Sequence, residues 1–362
     1  MGDRMMCPEL WPYGLLQYYF DNYHGRSKLT IPVSDMVPFE LGEVRTTGPL
    51  SPKYDTMAFA HYCLRTIKSF LRHQHSLIPL RTTMSGKTVV VTGCSNGGLG
   101  AAMAKAYQAK GFRVFATLRN RSKAGALEKI KGIEILELDV TSEESIHQCA
   151  KAVEKLTGGS LDVLVNNAGI STIRPLLDTS VDDAKKLYDS NVWAILLMAQ
   201  AFAPMLIKSK GIMCNISSVS SELPFAWQGT YSSSKAAMTR ISETLRLEME
   251  PLGVQVVTVI LGAVETSGND PNNRKELELP ANSYYQQIAS IINRHNKGLV
   301  HVKKQNVDVA ANNVVNDVLS GRAGFVRRGY ASSLTWLLNT FLPYALTTKM
   351  INGESGLGEL KR

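Results

Sequence analysis

Between residues 86 and about 320 the chain alternates short, continuous apolar runs with longer stretches whose apolar positions recur every three to four residues. Runs of the first kind lie at 87–93, 113–119, 133–140, 161–166, 211–217 and 255–261. They are rich in β-branched residues and predict strands buried on both faces. Stretches of the second kind, at about 98–109, 121–131, 142–157, 181–209 and 232–250, predict helices. This alternation predicts an α/β fold, a doubly wound parallel sheet with helices on both faces, in a three-layer sandwich. In such sheets ligands sit beyond the carboxyl ends of the strands.

The flanks read differently. Residues 1–83 carry many prolines and aromatics without a sustained period. Within them, Met57, Ala60, Leu64, Ile67 and Leu71, with Arg65, Lys68 and Arg72 interspersed, fit a basic amphipathic helix over 57–80. That pattern fits a membrane-surface helix or an organelle-targeting segment. An untranslated stretch wrongly included in the reading frame fits equally, so 1–83 is expected to be a dispensable or mis-assigned extension. At the other end, residues 331–362 form an apolar segment followed by a polar tail. The apolar part, 333–346, is too short to span a bilayer. It could pack on the domain, close a pocket, form a subunit contact or lie in a membrane interface. No 18-residue apolar run and no signal-peptide pattern is present.

Composition narrows the function classes. Hydrophobic residues are 44% and charged residues 20%, which suits a folded domain and not a disordered chain. The net charge of +9 suits a nucleic acid, an anionic membrane surface or a phosphorylated ligand. No nucleic-acid motif occurs and the basic residues are spread out, so no nucleic-acid partner is expected. Cys7, Cys63, Cys94, Cys149 and Cys214 are scattered with no Cys-x-x-Cys pair, so neither a metal site nor a disulfide framework is expected. Cys94 and Cys214 read as small buried hydrophobes. An intracellular, reducing, cytoplasmic setting fits, with the endoplasmic reticulum or lipid-droplet surface as a further option.

The first apolar run ends in Thr92-Gly93-Cys94-Ser95-Asn96-Gly97-Gly98-Leu99-Gly100, where a helix is predicted to begin. Glycines let backbone approach a phosphate closely, and a helix N-terminus offers N–H groups and partial positive charge to it. A strand before and a helix after make this loop a candidate dinucleotide site of Rossmann type. An NAD-selective site places a carboxylate at the end of the second strand. Here that strand ends Ala116-Thr117-Leu118-Arg119-Asn120-Arg121, with no carboxylate from 113 until Glu128. Arg119, with Arg121 or Ser95 as further candidates, would meet a 2′-phosphate, so the expected cofactor is NADP(H).

Further along, Tyr231-Ser232-Ser233-Ser234-Lys235 puts Tyr231 and Lys235 on one helical face. A phenol titrates too high for proton transfer near neutrality, and an adjacent ammonium is expected to lower it. Phe225 and Trp227 could line an apolar pocket beside this pair.

Taken together these motifs resemble the short-chain dehydrogenase/reductase family over about residues 86–266. The glycine loop has one residue more than the family's usual form. In that it resembles a mostly fungal subgroup similar to the 1-acyldihydroxyacetone-phosphate reductases and related biosynthetic reductases. The resemblance implies that Gly93, Ser95, Gly98, Leu99 and Gly100 cradle the phosphates, and that Asp139 contacts adenine. It places Asn167, in Asn166-Asn167-Ala168-Gly169, beside the ribose. It implies that Ser218, chosen over Ser217 by its separation from Tyr231, hydrogen-bonds the substrate oxygen. Tyr231 is then the acid/base and Lys235 holds the ribose hydroxyls. Asn191 holds a water in the proton path. In Leu261-Gly262-Ala263-Val264-Glu265-Thr266 the family's usual proline is Leu261, and Val264 and Thr266 are implied to meet the nicotinamide. Residues 84–330 then form the reductase domain, with a substrate lid at about 267–302. The implied activity interconverts a ketone and a secondary alcohol on a lipid-like or polycyclic substrate, in lipid metabolism or secondary-metabolite biosynthesis. A homo-oligomer and a peripheral lipid-surface contact are further expectations. The alternatives are an NADP(H)-binding sensor or scaffold without turnover, and a membrane-tethering protein.

Overall fold

In the computed structural model the chain divides into Met1–Ser76 and Leu77–Arg362. The structure describes residues 86–269, 274–300 and 303–360. The extension at 1–83 and the amphipathic stretch at 57–80 therefore lie outside the described residues.

Seven parallel strands form one sheet in the order β3-β2-β1-β4-β5-β6-β7. They are β1 Thr88–Thr92, β2 Arg113–Leu118, β3 Ile133–Glu137, β4 Val163–Asn166, β5 Ile212–Ile216, β6 Gln255–Leu261 and β7 Gly324–Arg328. In β1, Val89 and Val91 face one core and Val90 the other, and all are fully buried. The first core takes helix α1 (Leu99–Ala109) and helix α7 (Val307–Leu319). The second takes α2 (Glu143–Thr157) and α4 (Ala194–Ser209). The sheet is thus covered on both faces, as its uninterrupted apolar strands require. Cys94, Cys149 and Cys214 are buried within these cores.

Strand order reverses about β1, whose neighbours are β2 and β4. Crossovers leave in opposite directions there, which opens a crevice at the strands' carboxyl ends. Thr92 closes the gap behind it. Its hydroxyl accepts from the backbone N–H groups of Asn167 and Ala168, each at 2.9 Å. Asn167 in turn donates from Nδ2 to the Thr92 carbonyl at 2.8 Å.

The structure departs from the periodicity reading in several places. The stretch at 121–131 is not one helix but two 3₁₀ turns, Arg121–Lys123 and Gly125–Lys129. Asn120 caps the first, and Gly125 breaks the run with a φ of +58°. The helix expected over 181–209 is α3 (Val181–Tyr188), a π-helical turn (Asp189–Trp193) and α4. The stretch Val181–Ser209 is the one among the described residues long and apolar enough to cross a membrane, but over half of it is buried, as in a core helix. Strand β7 and helix α7 lie beyond the six predicted strands; β7 is GFVRR, whose two apolar residues before a pair of arginines make no apolar run to read. A long helix, α5 (Gly229–Met249), carries the Tyr231 motif, and α6 (Ala289–Asn296) falls within the stretch expected to form a lid. The segment at 333–346 forms α8 (Ser332–Phe341) and most of α9 (Tyr344–Ile351). These pack beside the sheet, where Ser332 donates to the Ile260 carbonyl at 2.6 Å.

Candidate active site

A cleft of about 880 Å³ runs along the carboxyl ends of the strands. Its nucleotide end is lined by Gly93, Ser95, Gly98, Leu99, Arg119 and Asp139, and its middle by Asn167, Val264 and Thr266. Ser218, Tyr231 and Lys235 stand further along the same cleft. Residues from six strand ends thus converge, and only the fold brings them together.

The glycine turn is shaped by close approach. Gly93 has a φ of +74°, a region open to glycine. A Cβ on Gly100 would lie 2.5 Å from the Gly93 carbonyl oxygen and 2.7 Å from Asn167 Nδ2. Gly100 therefore serves from behind the wall, letting α1 press against the turn. The N-cap of α1, Gly98, makes no side-chain hydrogen bond to the helix, so its first N–H groups face the cleft uncapped by protein side chains. These features fit a dinucleotide pyrophosphate.

At the end of β2, Arg119 lines the cleft near Asp139. Burial pushes the Asp139 carboxyl up. Two hydrogen bonds from Thr141 and the Arg119 charge outweigh it, so the group titrates below its ordinary value. Arg121 is a different case. It pairs with Glu128 at 3.0 Å and does not line the cleft. The expectation that Arg121 could share a 2′-phosphate is corrected: its guanidinium is turned to the 3₁₀ turn that follows.

At the other end, the Ser218 hydroxyl stands beside the Tyr231 phenol and favours its ionised form. The Ser217 hydroxyl turns instead to Thr239 Oγ1 at 2.5 Å, which separates the two serines by direction. Lys235 is buried and donates from Nζ to the Ile216 carbonyl at 2.9 Å. Its burial lowers the ammonium to about 8. The Tyr231 phenol is raised above its ordinary value because burial dominates. The Ser218 hydroxyl and the positive charge of Arg274 oppose that rise. The sequence reading assigned that opposing charge to Lys235. In the structure Nζ of Lys235 lies 6.0 Å from the Tyr231 ring centre, and Arg274 is a second cation that favours the ionised phenol.

Asn191 also takes a different place. It is buried in the π-helical turn, and both its amide hydrogens are used, on Ile170 O at 2.9 Å and Ser234 Oγ at 3.0 Å. Its Oδ1 accepts from the Ile170 N–H at 2.8 Å. The amide braces the turn after β4 against α5. Leu261, standing where a proline was expected, leaves the loop well held. Gly262 donates to Arg328 O, and Ala263 and Tyr330 exchange backbone hydrogen bonds.

Phe225 lines the cleft, but Trp227 does not. Trp227 is buried against Ile288 and Ile292, and its indole donates to Ser355 O at 3.0 Å. The C-terminal segment contributes Thr335, Met350, Ile351 and Glu354 to the cleft wall, which agrees with the pocket-closing option for it. Motif reading passed over Arg274, which stands in no recognisable pattern, and Met350, Ile351 and Glu354, which lie beyond 333–346.

Sheet, glycine turn and the Ser218–Tyr231–Lys235 cluster define an α/β oxidoreductase. Residues 87–277 match the family model for short chain dehydrogenases. The short-chain dehydrogenase cctT of Talaromyces islandicus is 68% identical over 274 residues, 76% of this chain and 97% of that protein. The NADPH-dependent 1-acyldihydroxyacetone phosphate reductase of Schizosaccharomyces pombe is 39% identical over 208 residues, 57% of this chain and 70% of that protein. Among solved structures, a metagenomic short-chain oxidoreductase in complex with NADP superposes with a TM-score of 0.53 at 26% identity, covering 68% of this chain and 98% of that one. The chain belongs to the short-chain dehydrogenase/reductase family.

Proposed function

We propose that this oxidoreductase is NADP(H)-dependent and interconverts a ketone and a secondary alcohol on a lipid-like or polycyclic substrate. The observation that carries the reading is the gathering of Ser218, Tyr231 and buried Lys235 in one cleft with an arginine at the end of β2. In reduction, Tyr231 gives its phenolic proton to the substrate oxygen, and Ser218 orients that oxygen by hydrogen bonding. Lys235 holds the ribose hydroxyls, and the uncapped N-terminus of α1 holds the pyrophosphate. When bound, NADP(H) supplies or accepts the hydride. Arg119 supports NADP(H) over NAD(H), as do the NADPH-dependent relative and the NADP-bound structure.

The apolar elements of the cleft wall, Phe225, Ile173, Met350 and Ile351, support a large apolar substrate. Two substrate classes fit: an acyl-dihydroxyacetone phosphate, and a polycyclic ketone of secondary metabolism. Exposed Leu334, Phe341, Tyr344 and Leu346 on α8 and α9 support contact with a lipid surface inside the cell. Residues 1–83 are taken as dispensable for the reaction, because cctT is matched over 97% of its length by 274 residues of this chain.

The test is NADPH oxidation by the purified protein with a panel holding both substrate classes. Turnover of either supports the reading. NADPH binding with no turnover of any carbonyl compound would instead favour a sensor or scaffold.

A further inference from the structure

Arg274 belongs to none of the motifs, yet it lines the cleft that holds Tyr231. Its guanidinium reaches three segments. Nε donates to Gly268 O at 3.0 Å, at the start of the lid. One terminal nitrogen donates to Asn296 O at 2.9 Å, at the end of α6. The other donates to Ser171 Oγ at 3.1 Å, on the rim that follows β4. Ser171 is itself part of the cleft wall. One side chain therefore fastens Gly268 and the end of α6 to the Ser171 rim of the cleft.

We propose that Arg274 is a positioning residue for the reaction, latching the lid to the Ser171 rim and setting a permanent positive charge beside the Tyr231 phenol. This rests on the reading of Tyr231 as the proton donor. The planar fork of arginine suits the three-way contact, and its charge persists across the whole working pH range. Lys235 cannot fill that role as well. Its Nζ is bound to the Ile216 carbonyl, and its burial brings it near neutrality at about pH 8. The other charged or titratable groups along the cleft are His295, Lys304, Tyr330 and Glu354, with Arg119 and Asp139 at the nucleotide end. Within this cleft the Arg274 charge and the Tyr231 phenol act on each other.

The charge is tested without turnover. Tyrosinate absorbance of the full chain, with NADP⁺ bound, is titrated as a difference against the same protein carrying Tyr231→Phe, which isolates the Tyr231 midpoint. Arg274→Met is expected to raise that midpoint by about one pH unit, as loss of a nearby opposite charge does. Arg274→Lys is expected to hold it near the wild-type value. With a ketone substrate, the high-pH limb of kcat/KM should move upward with the midpoint in Arg274→Met. In Arg274→Lys, KM should rise more than kcat falls, because the fork is lost and the charge kept. An unmoved midpoint in Arg274→Met that still binds NADPH like the wild type overturns the proposal, as does an equal shift in Arg274→Lys. If Arg274→Met fails to bind NADPH, Arg274→Gln carries the same test with hydrogen-bond donors retained. A wild-type protein that reduces no ketone would sink the enzymatic reading, while the titration would still report on the charge.

Discussion

Lys235 points its ammonium at the carbonyl of Ile216, the last residue of β5, at 2.9 Å, and not at the phenol one helical turn away. The bond anchors α5 to the sheet end that carries Ser218. It also buries a cation, which sets a pH dependence.

The ammonium falls from 10.5 to about 8 on folding. Below about pH 8 the folded protein bears the cost of the buried charge. Between about 8 and 10.5 the unfolded chain binds more protons than the folded one, so this group's contribution to stability rises with pH. At about 1.4 kcal/mol per pH unit, the gain is at most about 3 kcal/mol. Unfolding free energies of wild type and Lys235→Met, measured by denaturant titration across that window, should diverge in the wild type's favour as pH rises. Parallel curves would show that the charge is not buried.

Tyr231→Phe removes a proton and little else. It should lower kcat by about 10²- to 10⁴-fold, the usual worth of general acid catalysis, with NADPH affinity held. Ser218→Ala should cost about 10²- to 10³-fold. Ser217→Ala should cost less than about tenfold, since its hydroxyl is engaged by Thr239. Steady-state rates for the three variants check the assignment, and a larger loss at Ser217 than at Ser218 would reverse it.

Arg119→Ala should weaken NADPH binding by about ten- to a hundredfold, the worth of a charge-assisted hydrogen bond. NADH binding should hardly change. Dissociation constants for both cofactors, from fluorescence titration of both proteins, decide it. Tighter NADH than NADPH binding by the wild type would refute the cofactor reading.

Gly100→Ala forces a Cβ to within 2.5 Å of a backbone oxygen and 2.7 Å of Asn167 Nδ2. Neither neighbour is a free side-chain end, so the turn must shift. Overpacking of this kind costs about 1–3 kcal/mol. Thermal unfolding should show that loss, and NADPH affinity should fall with it. A variant as stable and as tight-binding as the wild type would mean that the turn yields freely.

The periodicity of 87–93 and its neighbours was enough for six of the strands, since burial on both faces leaves an unbroken apolar run in the chain itself. Strand boundaries shifted by a few residues, as at β3, which ends at Glu137 and not at 140. The stretch 121–131 was misread because Asn120 and Gly125 act through local backbone geometry that apolar spacing does not record.

What the sequence by itself determined was the fold class and the placing of the glycine loop, Ser218, Tyr231 and Lys235 at strand ends. Those depend on local chemistry: glycine's backbone freedom, helical spacing and apolar runs. Tertiary structure alone decided that Ser217 turns to Thr239, that the amide of Asn191 is spent on Ile170 and Ser234, and that Arg274 reaches Gly268, Asn296 and Ser171. Those relations join residues distant along the chain. Burial sets their titration, and burial exists only once the sheet, the lid and the C-terminal helices have packed together.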